Sequence, residues 1–463
     1  MQLKKGEIVT VKVEKLAFGD KGIGYIDNNE SKFVVFIEDA VPGDTVEAVL
    51  KKIKKNYAEA KLNKVVKKSK IRIEPRCKHF ENCGGCSLQN IPYEKQLEIK
   101  ESQIKETLEH IGGFKKPKIK KIIGCENPWF YRNKMEFSFR ADKEEGIKVG
   151  LHPKHYRYEV FQIEECFLES EDTGALIREI RDFAVNNNLS VYNFNENKGL
   201  LRCVVIREGK RTKKRLINLI TSHEEFTKKE DFISLLTQTS GFAPADSIYI
   251  TQQITQKGKK TEFDEHHLYG EHFLEETMQL EDGSKLYFNI PPSAFFQPNT
   301  LQAEKLYSIV LSMSSITEKD TVYDLFCGTG TIGLFCAHRA KKIIGVDINP
   351  AAISIANANA KKNLVKNAEF ICGNTNQVVK DLNQIPDAII VDPPRSGLGE
   401  KLCSHIIDIK SPVVIYVSCN PSTLARDLQS LCHRTYSLES VQPLDMFPHT
   451  HHIETVCKLV LQK

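Results

Sequence analysis

The sequence predicts a multidomain α/β protein: a small N-terminal β-barrel, a central α+β region, and a C-terminal open sheet flanked by helices. Three observations predict it. Turn-punctuated alternation of apolar and polar residues fills positions 1–70, strand runs mixed with short helical patterns fill 71–265, and apolar strands alternate with helices across 266–463. The first pattern is that of a small barrel and the last that of a parallel sheet.

Composition narrows the class. The chain is 41% hydrophobic and 27% charged, as expected of a globular protein. No window reaches the roughly 18 uncharged apolar residues of a membrane span, and the start, MQLKKGEIVT, lacks the apolar core of a secretory signal. A cytoplasmic, reducing location is expected, so the thirteen cysteines are expected to be free thiols, metal ligands or nucleophiles. The net charge of +5 is unevenly distributed: residues 1–76 hold 17 Lys and Arg against 11 Asp and Glu. Within them, residues 51–76 carry eleven basic and two acidic side chains. That run reads as a phosphate-contacting surface or as a solvated strand face.

Ahead of the basic run, EIVTVKVEKLAFGDKGIGYIDNNESKFVVFIEDAVPGDTVEAVL alternates between Gly, Asp and Pro turns, predicting a small antiparallel barrel. This stretch resembles a TRAM domain, an OB-like RNA-binding module, which implies that the chain binds RNA.

The segment that opens the central region, CKHFENCGGCSLQ, places Cys77, Cys83 and Cys86 in a C-x5-C-x2-C arrangement among charged, polar and glycine residues. Isolated cysteines are usually small core residues, whereas three in ten polar residues read as ligands. Gly84 and Gly85 are expected to permit the tight backbone path between them. Zinc would require a fourth Cys or His, and His79 is the nearby histidine. A distant fourth thiol would complete an all-cysteine site suited to a 4Fe-4S cluster; by spacing, Cys166, Cys125 and Cys203 all remain open. Further on, YRNKMEFSF sets Arg132 and Lys134 beside Tyr131 and Phe137. That mix suits phosphates and stacked bases, or else forms an ordinary amphipathic strand.

In the C-terminal region, DLFCGTGTIG is a strand followed by a glycine turn and a helix, and KKIIGVD ends the next strand on Asp347. Gly328 to Gly333 also fit the glycine fingerprint of nicotinamide enzymes. Asp324 inside the first strand and the later DPPRSG favour S-adenosylmethionine instead. In related amino-group methyltransferases the equivalent proline motif carries an aromatic residue; here Arg395 takes its place, which favours a uracil carbon as the acceptor. Uracil C5 is too electron-poor to attack a sulfonium methyl group unaided. A thiolate that adds to C6 makes C5 nucleophilic, and a base must then remove the C5 proton. Cys419, at the end of the strand VVIYVS, occupies the edge where open sheets bind ligands, and a helix starting near Pro421 would favour its thiolate.

Taken together, CxHFxxCGGCxxQ, SAFFQPN, DLFCGTG, DPPRSG, SCNP and DMFPHTHHIETVCKL resemble the RNA uracil-C5-methyltransferase family in its iron-sulfur branch acting on 23S ribosomal RNA. The resemblance implies a C-terminal Rossmann-like methyltransferase domain over 266–463, a central iron-sulfur domain over 71–265 and a TRAM barrel over 1–70, with a helix near 90–111 packing on the catalytic part. It implies Cys419 as nucleophile and Glu454 as base, S-adenosylmethionine held by Gln297, Phe326, Asp347 and Asp392, and Cys166 as fourth cluster ligand. Asp347 departs from the family's more usual Glu. A uridine inside a helix cannot admit a thiol to C6, so the target is expected to be single-stranded or flipped out. The expected enzyme is a monomer acting on RNA, away from membranes. Two alternatives stand beside it: a transfer-RNA or dual-site methylase of the same mechanism, and a non-catalytic RNA-binding assembly factor. Phe295 and Phe296 are candidates for base stacking or for packing, and the other eight cysteines are expected to be packing residues.

Overall fold

A computed structural model describes every residue except Met1, Gln2, Asn29, Glu30, Arg157, Thr239, Ser240, Lys257, Asn383 and Lys463. Asn29 and Glu30 belong to the predicted barrel segment and lie outside the described residues.

Strands β1 (Ile8–Leu16), β2 (Gly22–Asn28), β3 (Ser31–Glu38), β4 (Thr45–Ile53) and β5 (Tyr57–Lys67) close into a barrel in the order β1-β2-β3-β5-β4. Alternation sends Val11, Val13, Val35, Ile37, Val46 and Leu50 inward. The expectation of a purely antiparallel barrel is corrected at one seam: β3 and β5 run parallel. Both pair where β4, which separates them in sequence, closes back onto β1. Closure removes the exposed edges that a five-stranded sheet would otherwise present.

Helix α1 (Tyr93–His110) follows the cysteine loop. The central region then folds as β6 (Lys134–Asp142), β7 (Gly146–Leu151), β8 (Phe161–Gln162), α2 (Thr173–Asn186), β9 (Leu201–Glu208), β10 (Arg215–Thr221), α3 (Lys229–Thr237), β11 (Ser247–Ile254) and β12 (Glu262–Gly270). Its seven strands lie in the order β12-β11-β10-β9-β6-β7-β8. One face packs Met135, Phe137, Phe139, Val204 and Ile206 against α2 residues Leu176, Ile177 and Ile180. This arrangement corrects the stacking reading of YRNKMEFSF. Phe137 points into that core, and Tyr131 is buried with its hydroxyl donating to the Pro448 carbonyl, 3.1 Å away. The amphipathic-strand reading holds because every second residue of β6 faces the helices.

A hairpin of β13 (Leu274–Gln279) and β14 (Lys285–Ile290) leads into α4 (Thr300–Ser314). There follow β15 (Thr321–Leu325), α5 (Thr331–Ala337), β16 (Lys342–Asp347), α6 (Pro350–Lys362), β17 (Ala368–Cys372), α7 (Thr375–Asp381), β18 (Ala388–Val391), α8 (Gly399–Ile409), β19 (Val413–Ser418), α9 (Pro421–Cys432), β20 (Tyr436–Leu444) and β21 (Glu454–Leu461). The sheet order is β17-β16-β15-β18-β19-β21-β20. Its first five strands are parallel and β21 runs antiparallel between β19 and β20. Strands buried on both faces read as continuous apolar runs, as β18 (AIIV) and β19 (VVIYVS) do. Ile104 and Leu108 of α1 join the core on one side of this sheet. Among the described residues no helix is long and apolar enough to cross a membrane.

Candidate active site

The sheet's topology brings four strand ends together. β15 hands over to the glycine turn through Phe326, which has a positive φ of 64°, as do Gly328 at 53° and Gly330 at 75°. A non-glycine residue held in the left-handed region costs on the order of 1 kcal/mol or more and typically marks a functional turn. Gly330 is also sterically required, since a Cβ there would lie 2.7 Å from the Phe370 ring. Asp324, fully buried, accepts the Gly333 N–H at 2.9 Å and so ties the turn to its strand. At the end of β16, Asp347 accepts the Gly328 N–H at 3.0 Å and the Asn349 N–H at 2.8 Å. Asp347, Phe326 and Asp392 therefore end three neighbouring strands.

Cys419 follows the last residue of β19, and α9 begins at Pro421 with Asn420 capping the Ser422 N–H. The antiparallel register sets Ser418 opposite Thr455, so the next pair along is Cys419 and Glu454. Burial, with the charges of Glu454 and Asp392 adding to it, pushes the Cys419 thiol up to about 11; the Arg395 guanidinium opposes this. Burial raises Asp392 to about 7 and Glu454 well above the usual carboxylate range. Burial thus favours the protonated form of both carboxyls, which lessens the repulsion a thiolate would otherwise meet. Arg395 is fixed at its backbone, where its carbonyl accepts from Asn420 Nδ2 at 3.1 Å and Thr423 Oγ1 at 3.2 Å.

The loop between β14 and α4 carries Gln297, which is buried, and meets the glycine turn where Thr329 Oγ1 donates to the Phe295 carbonyl at 3.4 Å. Phe296 packs into the core, whereas Phe295 is 67% exposed. Asn299 caps α4 and also donates to the Met446 carbonyl at 3.1 Å. The loop 445–453 that delivers Glu454 is held from the other side by α1. Lys100 and Asp445 form a fully buried ion pair at 2.6 Å, and Tyr93 donates to the same carboxylate at 2.8 Å. Motif reading missed this latch, and it also missed Tyr307. That buried tyrosine of α4 lies within hydrogen-bonding distance of Thr331 (3.1 Å) and near Asp392, Asp324 and Glu454. Its one sequence signal is a hydroxyl on the apolar face of LYSIVL.

The cysteine loop joins the same assembly. The Ser87 and Leu88 N–H groups both donate to the His449 carbonyl, at 2.9 and 3.0 Å. Cys77, Cys83, Cys86 and Cys166 line one cleft of 1830 Å³ that runs between the barrel and the central sheet. Burial raises all four thiols, Cys86 and Cys166 to about 12. Arg132 stands among Cys83, Cys86 and Cys166, and its Nε has no hydrogen-bond partner. Among the described residues, no three His, Cys, Asp or Glu side chains are close enough to hold one metal ion. Gly84 serves close approach rather than a left-handed turn: its N–H donates to the His152 carbonyl at 3.1 Å, and a Cβ there would come within 3.2 Å of that oxygen. Of the cysteines expected to pack, Cys372 is a correction. It ends β17 at the exposed rim of the sheet.

The parallel sheet with one reversed strand, the glycine turn and the acidic strand end define a Rossmann-like methyltransferase fold. The comparisons with known proteins agree. Residues 250–463 match the family model described as tRNA (Uracil-5-)-methyltransferase, and residues 2–62 match the TRAM domain. An uncharacterized RNA methyltransferase of Clostridium acetobutylicum is 36% identical over 98% of this chain and 97% of its own. Another, from Protochlamydia amoebophila, is 38% identical over 91% and 98%. The crystal structure of Pyrococcus abyssi tRNA (uracil-54, C5)-methyltransferase in complex with S-adenosyl-L-homocysteine superposes with a TM-score of 0.75 at 29% identity, covering 98% of this chain and all of that one. The chain belongs to the RNA uracil-5-methyltransferase family. It is an S-adenosylmethionine-dependent RNA methyltransferase with an N-terminal TRAM domain.

Proposed function

We propose that this enzyme methylates C5 of a specific uridine in 23S ribosomal RNA through a covalent bond between Cys419 and C6, acting as a cytoplasmic monomer. The observation that carries the mechanism is the convergence of strand ends: Cys419 follows β19 and Glu454 begins β21, one step beyond the Ser418–Thr455 pair, and Asp392 follows the adjoining β18, with both carboxyls acting on the thiol. Cys419 Sγ adds to C6, and the C5–C6 π electrons move onto O4 and C5. S-adenosylmethionine, held by the ends of β15, β16 and β18 with Gln297, supplies the methyl group that C5 takes up. Glu454, once ionised, removes the C5 proton; elimination restores the double bond and releases the thiolate. A carboxyl whose proton affinity burial has raised suits this role.

Cys77, Cys83, Cys86 and Cys166 are proposed to hold a 4Fe-4S cluster. What supports this is that the four thiols line one cleft and act on one another's acidity, and that Arg132, whose Nε has no hydrogen-bond partner among the described residues, stands beside three of them, as suits a site of net negative charge. Such a cluster supplies a rigid staple between the loop and Cys166, and methyl transfer requires no electron from it.

The RNA target rests on the cysteine motif's likeness to the ribosomal branch. Transfer RNA is a second reading, favoured by the likeness to the Pyrococcus abyssi enzyme. Incubating the protein and S-adenosylmethionine with 5-fluorouridine-substituted 23S fragments or transfer RNA tests both readings, because fluorine cannot leave as a proton. A cofactor-dependent adduct with ribosomal RNA, absent in Cys419→Ala, is expected. An adduct with transfer RNA alone selects the second reading, and none with either overturns the thiolate mechanism.

A further inference from the structure

One exposed aromatic ring beside the large cleft lies outside the YRNKMEFSF strand. It belongs to a short hairpin that the motifs leave out. Residues 191–201 fold back through bridges Val191–Leu201 and Asn193–Lys198. Gly199 takes φ 99° there, and a Cβ would come 2.3 Å from the Val191 carbonyl. The Tyr192 hydroxyl donates to Asn197 Oδ1 at 2.5 Å, and the Asn195 N–H donates to Asn193 Oδ1 at 2.9 Å. The hairpin is thus rigid, and it ends with the Phe194 ring 64% exposed.

Beside it, β9 carries a bulge. Thr221 pairs with Leu201 and Ile220 with Cys203, which leaves Arg202 as the extra residue. Bulges re-aim side chains, and Arg202 lines the large cleft together with Tyr192, Phe194, Ser138 and Arg140. Its guanidinium lies 3.5 Å over the Tyr192 ring and 5.5 Å from the Phe194 ring. Arg202 is 8% exposed, its Nη2 donates a long 3.4 Å bond to Thr255, and among the described residues its Nε has no hydrogen-bond partner. A buried donor left unpaired costs stability unless a ligand uses it. The same cleft extends to Phe295 at the catalytic loop.

We propose that Phe194, Tyr192 and Arg202 form a nucleotide subsite, separate from the methylated uridine's pocket, that takes one unpaired base of the substrate RNA. The base stacks on Phe194, and the Arg202 guanidinium beside that ring supplies an adjacent positive charge. Stacking is indifferent to base identity and strengthens binding in substrate and transition state alike. The subsite rests on the RNA methyltransferase activity and not on which RNA is methylated.

The test uses the full-length protein and total RNA from a strain lacking this gene, which presents any target unmodified, with methyl incorporation as readout. Phe194→Ala is expected to raise KM for RNA about 5- to 100-fold. Its kcat, its KM for S-adenosylmethionine and its melting temperature are expected to stay at wild-type values, and Phe194→Tyr is expected to restore binding. An unchanged KM for RNA in Phe194→Ala overturns the subsite. So does an equal loss in Phe194→Tyr, a fall in kcat alone, or a lowered melting temperature that accounts for the loss.

Discussion

Cys419 and the four thiols of the large cleft share burial and differ in their neighbours. Cys419 faces carboxyls at the ends of two adjoining strands and one cation, Arg395. The cleft thiols act on one another, Cys83 and Cys86 also face Arg132, and Cys77 and Cys166 each have a carboxylate nearby as well, Glu165 and Glu169. A thiol beside proton acceptors is equipped to add and to be expelled. Thiols beside thiols are equipped to share a centre. Burial raises every one of these groups, so the presence of fellow thiols, more than the degree of burial, separates the proposed ligands from the proposed nucleophile.

The sharpest way to break this contrast is to remove a thiol from each site. Cys419→Ala is expected to lower kcat by at least about 10⁴-fold and abolish the adduct while leaving iron content intact. Cys86→Ala is expected to lose iron and sulfide and to melt earlier, with adduct formation retained; equal catalytic loss in both variants would erase the distinction.

Next in size, Glu454→Gln is expected to slow turnover by about 10²- to 10⁴-fold. Denaturing gels should then show methylated adduct accumulating on ordinary RNA, because elimination waits for the proton. Faster release than in wild type would contradict a base at this position.

Lys100→Met tests what the two sites share, since α1 latches the loop that both the Glu454 strand and the cysteine segment lean on. It leaves Asp445 without its cation in a dry site and is expected to cost about 3–5 kcal/mol in urea unfolding. A loss below about 1 kcal/mol would mean that solvent reaches the pair.

Acidity gives the finer test. Asp324, fully buried, is held up at about 8 and Asp392 at about 7, against the ordinary 3.8. Groups raised in this way add stability that is complete below about pH 4 and lost as pH rises through 7 to 8, at about 1.4 kcal/mol per unit. Asp324→Asn is therefore expected to flatten the melting profile between pH 5 and 8, most clearly at the alkaline end. Smallest of all, Arg395→Gln removes the cation that opposes the rise of Cys419. Adduct formation should shift to higher pH, and a shift to lower pH would exclude that influence.

Much of the catalytic end was legible because its signals are local. A glycine turn after a strand, an acidic residue ending the next and a thiol ending a later one each occupy a few contiguous residues, and the rules of open sheets place all three at one edge. The central region was less legible. Phe137 sits in a strand whose pattern shows period two without showing which face is covered, Tyr131 lies just ahead of it, and both turned inward, against α2 and the loop at Pro448 respectively. Cys372 looked like core by residue type and fell at a rim. The Arg202 bulge depends on a register shift against β10, which no local pattern records.

The sequence by itself determined the alternation that makes the sheets, the turn chemistry at Gly328 to Gly333, the helix start after Cys419 and the close spacing of Cys77, Cys83 and Cys86. These follow from sterics and hydrogen bonding over a few residues. Only the tertiary structure decided that Cys166 lines the same cleft as those three, that Glu454 comes one step past the Ser418–Thr455 pair beside Cys419, that a buried Lys100–Asp445 pair fixes the loop ahead of Glu454, and that Phe194 rather than Phe137 meets the cleft. Those outcomes depend on register and on which faces bury one another, and they are settled only when segments hundreds of residues apart compete for the same dry interior.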